Sequence, residues 1–254
     1  MSAPHVSQRV SAPLELARVP VALLAGGLGT RLRPALGDQP KVLAEIDGRP
    51  FVAYLLDQLS AAGFRDVVLC VGWHAEEVER ALGSAHGPLR LRYSREPSPL
   101  GTAGALRLAL PALAGEQVLV MNGDSYCGAD LAAAWRWHRE RASEATLLLV
   151  EVEDTARYGR VELDEGGTIC RFVEKQDAAG TGWINAGIYF LAHSRIERIA
   201  RGAPLSLERD VFPTWVGHGF WGLRSRARFL DIGTPRSYAG ASAFFQVEGS
   251  ASRR

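Results

Sequence analysis

The chain predicts an α/β fold with helices on both faces of a mixed, mostly parallel central sheet. Short apolar runs recur in which successive positions are hydrophobic, the texture of strands buried on both faces. Segments of helical periodicity lie between them, so strand and helix alternate at intervals of about 25–30 residues. The 254 residues are 47% hydrophobic and 22% charged, ordinary for a globular chain. A chain of this length buries about 70–75% of its unfolded surface and needs no disulfide or metal to fold.

The elements follow in order. Residues 19–25 (VPVALLA) read as a buried parallel strand ending in glycines. Residues 51–62 place Phe51, Tyr54, Leu55 and Leu59 near one helical face, and Gly63 closes the helix. Residues 66–71 (DVVLCV) form a second buried strand, 75–82 a short helix, and 89–93 an alternating strand. A helix over 102–110 is stopped by Pro111. Residues 117–121 (QVLVM) form a strand running into Asn-Gly-Asp. A helix over 129–142 carries Leu131 and Trp135 on one face, and 145–152 form a further strand.

From Tyr158 the texture changes. Short strands over 160–163, 169–174 and 186–191 are joined by turns at Gly166-Gly167 and at Gly180 and Gly182. A helical segment over 194–201 and an extended aromatic stretch over 212–230 follow. The whole is Rossmann-like, three layers in the order αβα. No Pro- or Ser-rich linker divides it, so one domain is expected over 19–245, with halves 19–152 and 153–245. Residues 1–18 read as a flexible tail and 246–254 as a frayed terminus.

Charge and cysteines exclude several classes. Lys plus Arg is 29 against 28 Asp plus Glu, a net charge of +1, which argues against a nucleic-acid partner. A local pocket for a small anion remains compatible with that balance. Cys70, Cys127 and Cys170 are odd in number and widely spaced, giving neither a disulfide framework nor a C-x-x-C metal site. They fit buried thiols in a reducing compartment. No run of 18 apolar residues predicts a membrane span, and residues 1–18 hold no continuous apolar core of a signal peptide. A cytoplasmic location is expected.

The 27 glycines are not all turns. After the first strand comes Leu24-Ala25-Gly26-Gly27-Leu28-Gly29-Thr30-Arg31-Leu32-Arg33-Pro34. Three glycines in four residues let consecutive N–H groups point at one spot, a nest for phosphate oxygens, and two arginines add charge. The spacing is neither G-x-G-x-x-G nor a Walker A loop. Pro40-Lys41 follows closely enough for the chain to swing back over the same phosphates.

These residues resemble the sugar-1-phosphate nucleotidyltransferases (nucleotide-sugar pyrophosphorylases), whose pattern is (G)GxGTRLxPLT…PK. The likeness continues through Gly101-Thr-Ala-Gly104, Asn122-Gly-Asp124, Phe172-Val-Glu-Lys175, Asn185-Ala-Gly-Ile-Tyr189 and Asp231-Ile-Gly-Thr-Pro235. Six motifs in order, from about Val19 to Phe244, make it specific. The chain departs at Val42, where a second proline is common, and at Ala35-Leu36-Gly37 in place of Leu-Thr. The segment Ser206-Leu-Glu-Arg-Asp-Val-Phe-Pro213 resembles the short bacterial subgroup that includes D-glycero-α-D-manno-heptose 1-phosphate guanylyltransferase. It also starts with a helix-cap pattern, and capping or core packing explains it as well.

The resemblance implies a nucleotide-diphospho-sugar transferase fold, with 19–152 binding nucleotide and 153–245 binding sugar. It implies transfer of a nucleoside monophosphate from an NTP to a sugar 1-phosphate, releasing pyrophosphate and giving an NDP-sugar for cell-surface polysaccharide. GTP is favoured, with the heptose 1-phosphate first and mannose 1-phosphate next. By resemblance Arg31 and Lys41 are catalytic, and Asp124 and Asp231 share one Mg²⁺ with phosphate oxygens. Leu24, Ala25, Gly26, Gly27, Gly29, Thr30, Glu96, Gly101, Thr102, Asn122 and Gly123 bind nucleotide. Gly101 and Gly104 would let their loop lie flat on the base. Tyr158, Gly159, Glu174, Lys175 and Asn185 bind the sugar phosphate.

One specificity reading has a chemical basis. Glu96 falls where pyrimidine-using relatives often carry Gln. A carboxylate accepts two hydrogen bonds and donates none, which matches the N1–H and N2 amino donors of guanine. An exposed loop acid explains Glu96 almost equally. UTP or dTTP with glucose 1-phosphate, UTP with N-acetylmuramic acid 1-phosphate, and a non-catalytic nucleotide-sugar sensor remain alternatives. A dinucleotide oxidoreductase is disfavoured by the glycine spacing. A homodimer is compatible with the exposed aromatic content.

Overall fold

The computed structural model describes residues 15–27, 29–173 and 180–251, the last four by backbone alone. The chain opens its sheet with β1 (Val21–Leu24), then turns through the short helix α1 (Arg33–Leu36) and a 3-10 turn, Lys41–Leu43. The hairpin β2 (Glu45–Ile46) and β3 (Arg49–Pro50) leads into α2 (Phe51–Ala62), β4 (Asp66–Val71) and α3 (Ala75–Leu82). β5 (Ala85–His86), β6 (Leu89–Arg95), α4 (Gly101–Ala109), β7 (Gln117–Asn122) and β8 (Ser125–Cys127) follow. Then come α5 (Leu131–Glu140), β9 (Ala145–Val152), β10 (Arg160–Leu163), β11 (Ile169–Val173) and β12 (Gly182–Ala192). The chain finishes with α6 (His193–Glu197), α7 (Phe212–Trp215), β13 (Phe220–Ser225), β14 (Phe229–Asp231), α8 (Pro235–Ala239) and α9 (Ala241–Ala251).

Eight strands make one sheet in the order β13-β9-β12-β7-β1-β4-β6-β5. β1 is parallel to β4 and β7, β4 to β6, and β9 to β13, while β12 runs antiparallel to β7 and β9. The successive apolar positions now have their reason. Val21 and Leu23 enter one core and Ala22 the other; Leu69 and Val71 face the first, Val68 and Cys70 the second. The first core is covered by α2, α5 and α9 through Phe51, Leu55, Leu59, Trp135 and Phe245. The second is covered by α4 and α7 through Leu106, Phe212 and Trp215. Each such side chain fully buried stabilises by about 1.5–3 kcal/mol. Gly63 ends α2 at φ 103, a left-handed value that glycine takes without strain, and donates to Leu59 O and Ser60 O.

Several expectations are corrected. Residues 15–18 are not a loose tail: Leu16 is fully buried, and Trp135 Nε1 donates to Glu15 Oε2 at 3.1 Å. The strand expected over 186–191 is the longer β12: it begins at Gly182, and Gly187 lies inside it, within an irregularity between Asn185 and Tyr189. The aromatic stretch 212–230 is not extended throughout. Pro213 sits in the first turn of α7, and Phe212 and Trp215, three residues apart, bury one helical face. The helix expected over 194–201 is only α6. The helix over 129–142 begins at Leu131, where Asp130 caps it by accepting the Ala133 N–H. α9 carries regular structure through residues 246–251, where fraying was expected. Among the described residues, no helix is long and apolar enough to cross a membrane.

His138 ties α5 to the sheet. It is fully buried, with Nδ1 2.8 Å from Thr146 Oγ1 and Nε2 3.2 Å from Gln117 Oε1. Burial, with Arg139 adding to it, pushes its pKa down from 6.5 to about 4. The unfolded chain takes up this proton near 6.5 and the folded chain does not. Stability present above that value is therefore lost as pH falls from 6.5 towards 4. Lowering the pH from 7 to 5 is expected to remove about 2 kcal/mol through this one group. Urea midpoints at the two pH values check it, and His138→Gln should flatten the difference.

Candidate active site

The parallel strands place a crevice at their carboxyl ends. From β1 the chain adds β4 and β6 on one side, then crosses to add β7 on the other. That reversal is where open α/β sheets bind ligands. Leu24 and Asn122 pair across it, and Val71 and Arg95 end the neighbouring strands. Gly123 N–H donates to Leu24 O at 2.8 Å. A Cβ on Gly123 would lie 2.6 Å from that oxygen and 3.0 Å from Val42 Cγ1, so only glycine fits.

The glycine loop turns at Gly29. Gly29 is at φ 59, and its carbonyl accepts the N–H groups of Leu32 and Arg33 at 2.8 and 3.2 Å. This turn leads into α1 and leaves Thr30 and Arg31 exposed. Lys41, in the following 3-10 turn, donates from Nζ to Asp124 Oδ2 at 2.7 Å.

Asp124 and Asp231, 107 residues apart, are brought to neighbouring positions by the antiparallel pair β8–β14. Asp231 lies opposite Ser125, and Ile232 N–H donates to Asp124 O at 3.1 Å. Asp231 Oδ1 accepts the Gly233 N–H at 2.6 Å, and Arg157 Nη2 lies 3.4 Å from Oδ2. Each carboxylate is thus matched by one basic side chain. Arg157 was missed at the sequence level, its only signal being its place beside Tyr158-Gly159. The donor set is hard, anionic and all oxygen. Among the described residues, no group of three or more side chains could hold a metal alone. Two carboxylates whose remaining partners would be substrate phosphates fit Mg²⁺.

Glu96 reaches the glycine loop. Its N–H extends the ladder to Val71 O at 2.8 Å, and its Oε2 accepts the Leu100 N–H at 2.7 Å. Oε1 lies over Gly26, occupying the space a Cβ there would need, and 2.8 Å from the Cβ position of Gly72. Burial pushes the Glu96 acid up, and the Leu100 N–H opposes that.

A Cβ would lie 2.5 Å from Leu205 O at Gly101 and 2.8 Å from Ala203 O at Gly104. The close approach that requires glycine at both positions is to the chain's own backbone. Thr102 Oγ1 likewise accepts the Leu207 N–H at 2.8 Å. Asn122 and Asn185 meet at one hydroxyl: Tyr189 OH lies 3.4 Å from Asn122 Oδ1 and accepts from Asn185 Nδ2 at 2.9 Å. Tyr158 packs edge-on against Phe229, near Asp231, and burial with that carboxylate pushes its phenol up. Gly159, at φ 79, turns the chain beside it. Glu174 and Lys175 lie outside the described residues.

Fold and site together define a Rossmann-like α/β protein with a crevice at its strand switch point, beside which Lys41 pairs with Asp124 and Arg157 with Asp231. Residues 21–248 match the family model described as Nucleotidyl transferase, and the chain belongs to that family. It is 37% identical over 231 residues to the mannose-1-phosphate guanylyltransferase of Mycobacterium tuberculosis (strain ATCC 25618 / H37Rv), covering 89% of this chain and 64% of that one. It is 37% identical over 229 residues to the mannose-1-phosphate guanylyltransferase catalytic subunit beta of Drosophila pseudoobscura pseudoobscura, covering 85% and 59%. The chain spans about three fifths of the length of these curated relatives.

Among solved structures it resembles HddC from Yersinia pseudotuberculosis complexed with GMP-PN, with TM-score 0.79 and 32% identity over 89% of this chain and 99% of that one. A putative glucose-1-phosphate thymidylyltransferase from Bacillus anthracis shares the fold at TM-score 0.80 and 21% identity, over 89% and 94% of the two chains.

Proposed function

We propose that the chain transfers GMP from GTP to a sugar 1-phosphate, giving a GDP-sugar and pyrophosphate. The observation that carries this is the meeting of Lys41, Asp124 and Asp231 beside the glycine loop at the strand switch point. In the reaction a phosphate oxygen of the sugar 1-phosphate attacks the α-phosphorus in line. The new O–P bond forms as the bond to pyrophosphate breaks, and pyrophosphate leaves with the electron pair. The attacking oxygen is already anionic, so no side chain takes a proton. The work left to the protein is alignment and charge compensation.

Lys41, released from Asp124 by the incoming phosphates, offsets charge at the α-phosphate. Arg31, exposed at the loop, offers a planar fork to the β- and γ-oxygens. Asp124 and Asp231 would hold Mg²⁺, which when bound neutralises and aligns phosphate oxygens. Tyr158, Gly159 and Asn185 line the acceptor side, with Glu174 and Lys175 assigned there by motif alone.

Glu96 supports guanine. Each of its oxygens keeps a lone pair beyond the contacts described, and the carboxylate stands over Gly26. Mannose 1-phosphate is the first acceptor to try, because the relatives at 37% identity carry that name. The heptose 1-phosphate is the second, on the Ser206–Pro213 likeness.

The test is a matrix of four nucleoside triphosphates against mannose, glucose and heptose 1-phosphates, read by pyrophosphate release. GTP is expected to lead, and Glu96→Gln is expected to erode its advantage by about 10–100-fold, since the amide presents a donor to a donor. A variant with undiminished GTP preference would remove Glu96 from base recognition. A protein inactive on every pair would sink the proposed reaction.

A further inference from the structure

Three hydroxyls converge on the carboxylate of Glu208. Thr102 Oγ1 donates to Oε2 at 3.0 Å, Ser206 Oγ to the same oxygen at 2.8 Å, and Tyr189 OH lies 3.3 Å from Oε1. Tyr189 is fully buried, and its single proton is shared between Glu208 and Asn122 Oδ1. Glu208 stands in a π-helical turn, Leu207–Val211, a rare winding that recurs at functional sites.

Capping does not require this acid. Ser206 Oγ caps the turn by accepting the Arg209 N–H at 3.2 Å, and Asp210 Oδ2 accepts the Ser206 N–H at 2.7 Å. The contacts instead run outward to the loop that carries Glu96. Leu205 N–H donates to Leu100 O and Ala103 N–H to Leu205 O, both at 2.9 Å. Thr102 closes this seam by accepting from Leu207 and donating to Glu208.

We propose that Glu208 is a positioning residue. Through Thr102 it fixes the loop from Glu96 to Gly104. Through Tyr189 it sets that loop against Asn122 and Asn185, so the nucleotide is held at one distance from the acceptor. The proposal rests on the guanylyl-transfer reading above.

Glu208→Gln keeps the shape but turns an amide towards hydroxyls that need an acceptor. It is expected to raise the KM for the triphosphate about tenfold, with kcat changed less, and to lower the preference for GTP over ATP. Thr102→Val is expected to do the same, and the double variant to be no worse than the worse single one, because both cut one link. Glu208→Asp should recover part of the KM. A merely structural role would lower the melting temperature and leave the KM-to-kcat split and the base preference in place.

A folded Glu208→Gln protein with unchanged KM and preference overturns the proposal, as do single effects that multiply in the double variant. Should Glu208→Gln fail to fold, Thr102→Val carries the KM test and Tyr189→Phe cuts the other arm. If the wild type prefers another triphosphate, the guanylyl reading falls, and the KM for that triphosphate still decides the role of Glu208.

Discussion

Lys41→Met is expected to lower kcat/KM by about 10²–10³-fold while the protein stays folded. The methionine keeps the length of the stem and removes only the charge. The side chain of Lys41 is 11% exposed and that of Asp124 is 45% exposed, so their ion pair is screened and adds about 1 kcal/mol or less to stability. In the reaction the same ammonium faces charge that builds on the α-phosphate in a partly dehydrated crevice. One such preorganised donor is worth about 3–4 kcal/mol in comparable oxyanion sites. The predicted signature is a large fall in turnover beside a melting temperature that moves by a few degrees. Pyrophosphate release and thermal unfolding measured on one preparation decide it. A loss under tenfold would place Lys41 outside the reacting centre.

The second large effect concerns Asp231. Asp231→Asn is expected to cut turnover about 100-fold and to raise the Mg²⁺ concentration needed for half activity by more than tenfold, because one of two anionic donors becomes neutral. EDTA should stop the wild-type reaction, and added Mg²⁺ should restore it. A direct readout is Mn²⁺ binding in the presence of GTP, followed by paramagnetic resonance, which should weaken in the variant. Arg157, left without its partner at 3.4 Å, is half exposed and solvated, so the fold should survive. Full turnover in EDTA would remove the metal from the reading.

Local features were legible in the sequence where one physical signal dominated. The strands at Asp66–Val71 and Ala145–Val152 and the helix Phe51–Ala62 fall where expected, because burial on two faces or a glycine cap leaves a plain mark. The stretch from Phe212 misled because aromatic density reads as strand, while Pro213 and the three-residue spacing of Phe212 and Trp215 favour a turn of helix. Leu16 is buried in a core cluster that also holds Trp135, 119 residues away, and no local pattern reports such a long-range grouping. The site divides in the same way. The glycine loop and Lys41 are local. The meeting of Asp124 with Asp231 was supplied by family resemblance, and the seam between Thr102 and Glu208 was not foreseen, since long-range pairing leaves no periodic trace.

The two-stranded pair β8–β14 has a consequence for folding. It stands outside the eight-stranded sheet, and a ribbon of two short strands is marginal by itself. Its pairing closes more than 100 residues into one loop, at an entropic cost that grows with the logarithm of that length. Burial of Cys127, Leu230 and Ile232 offsets part of this. Anything that engages both Asp124 and Asp231 binds only the closed ribbon, and so adds its binding free energy to the closure. Ligand affinity and completion of this long loop are then one equilibrium, approached from two sides.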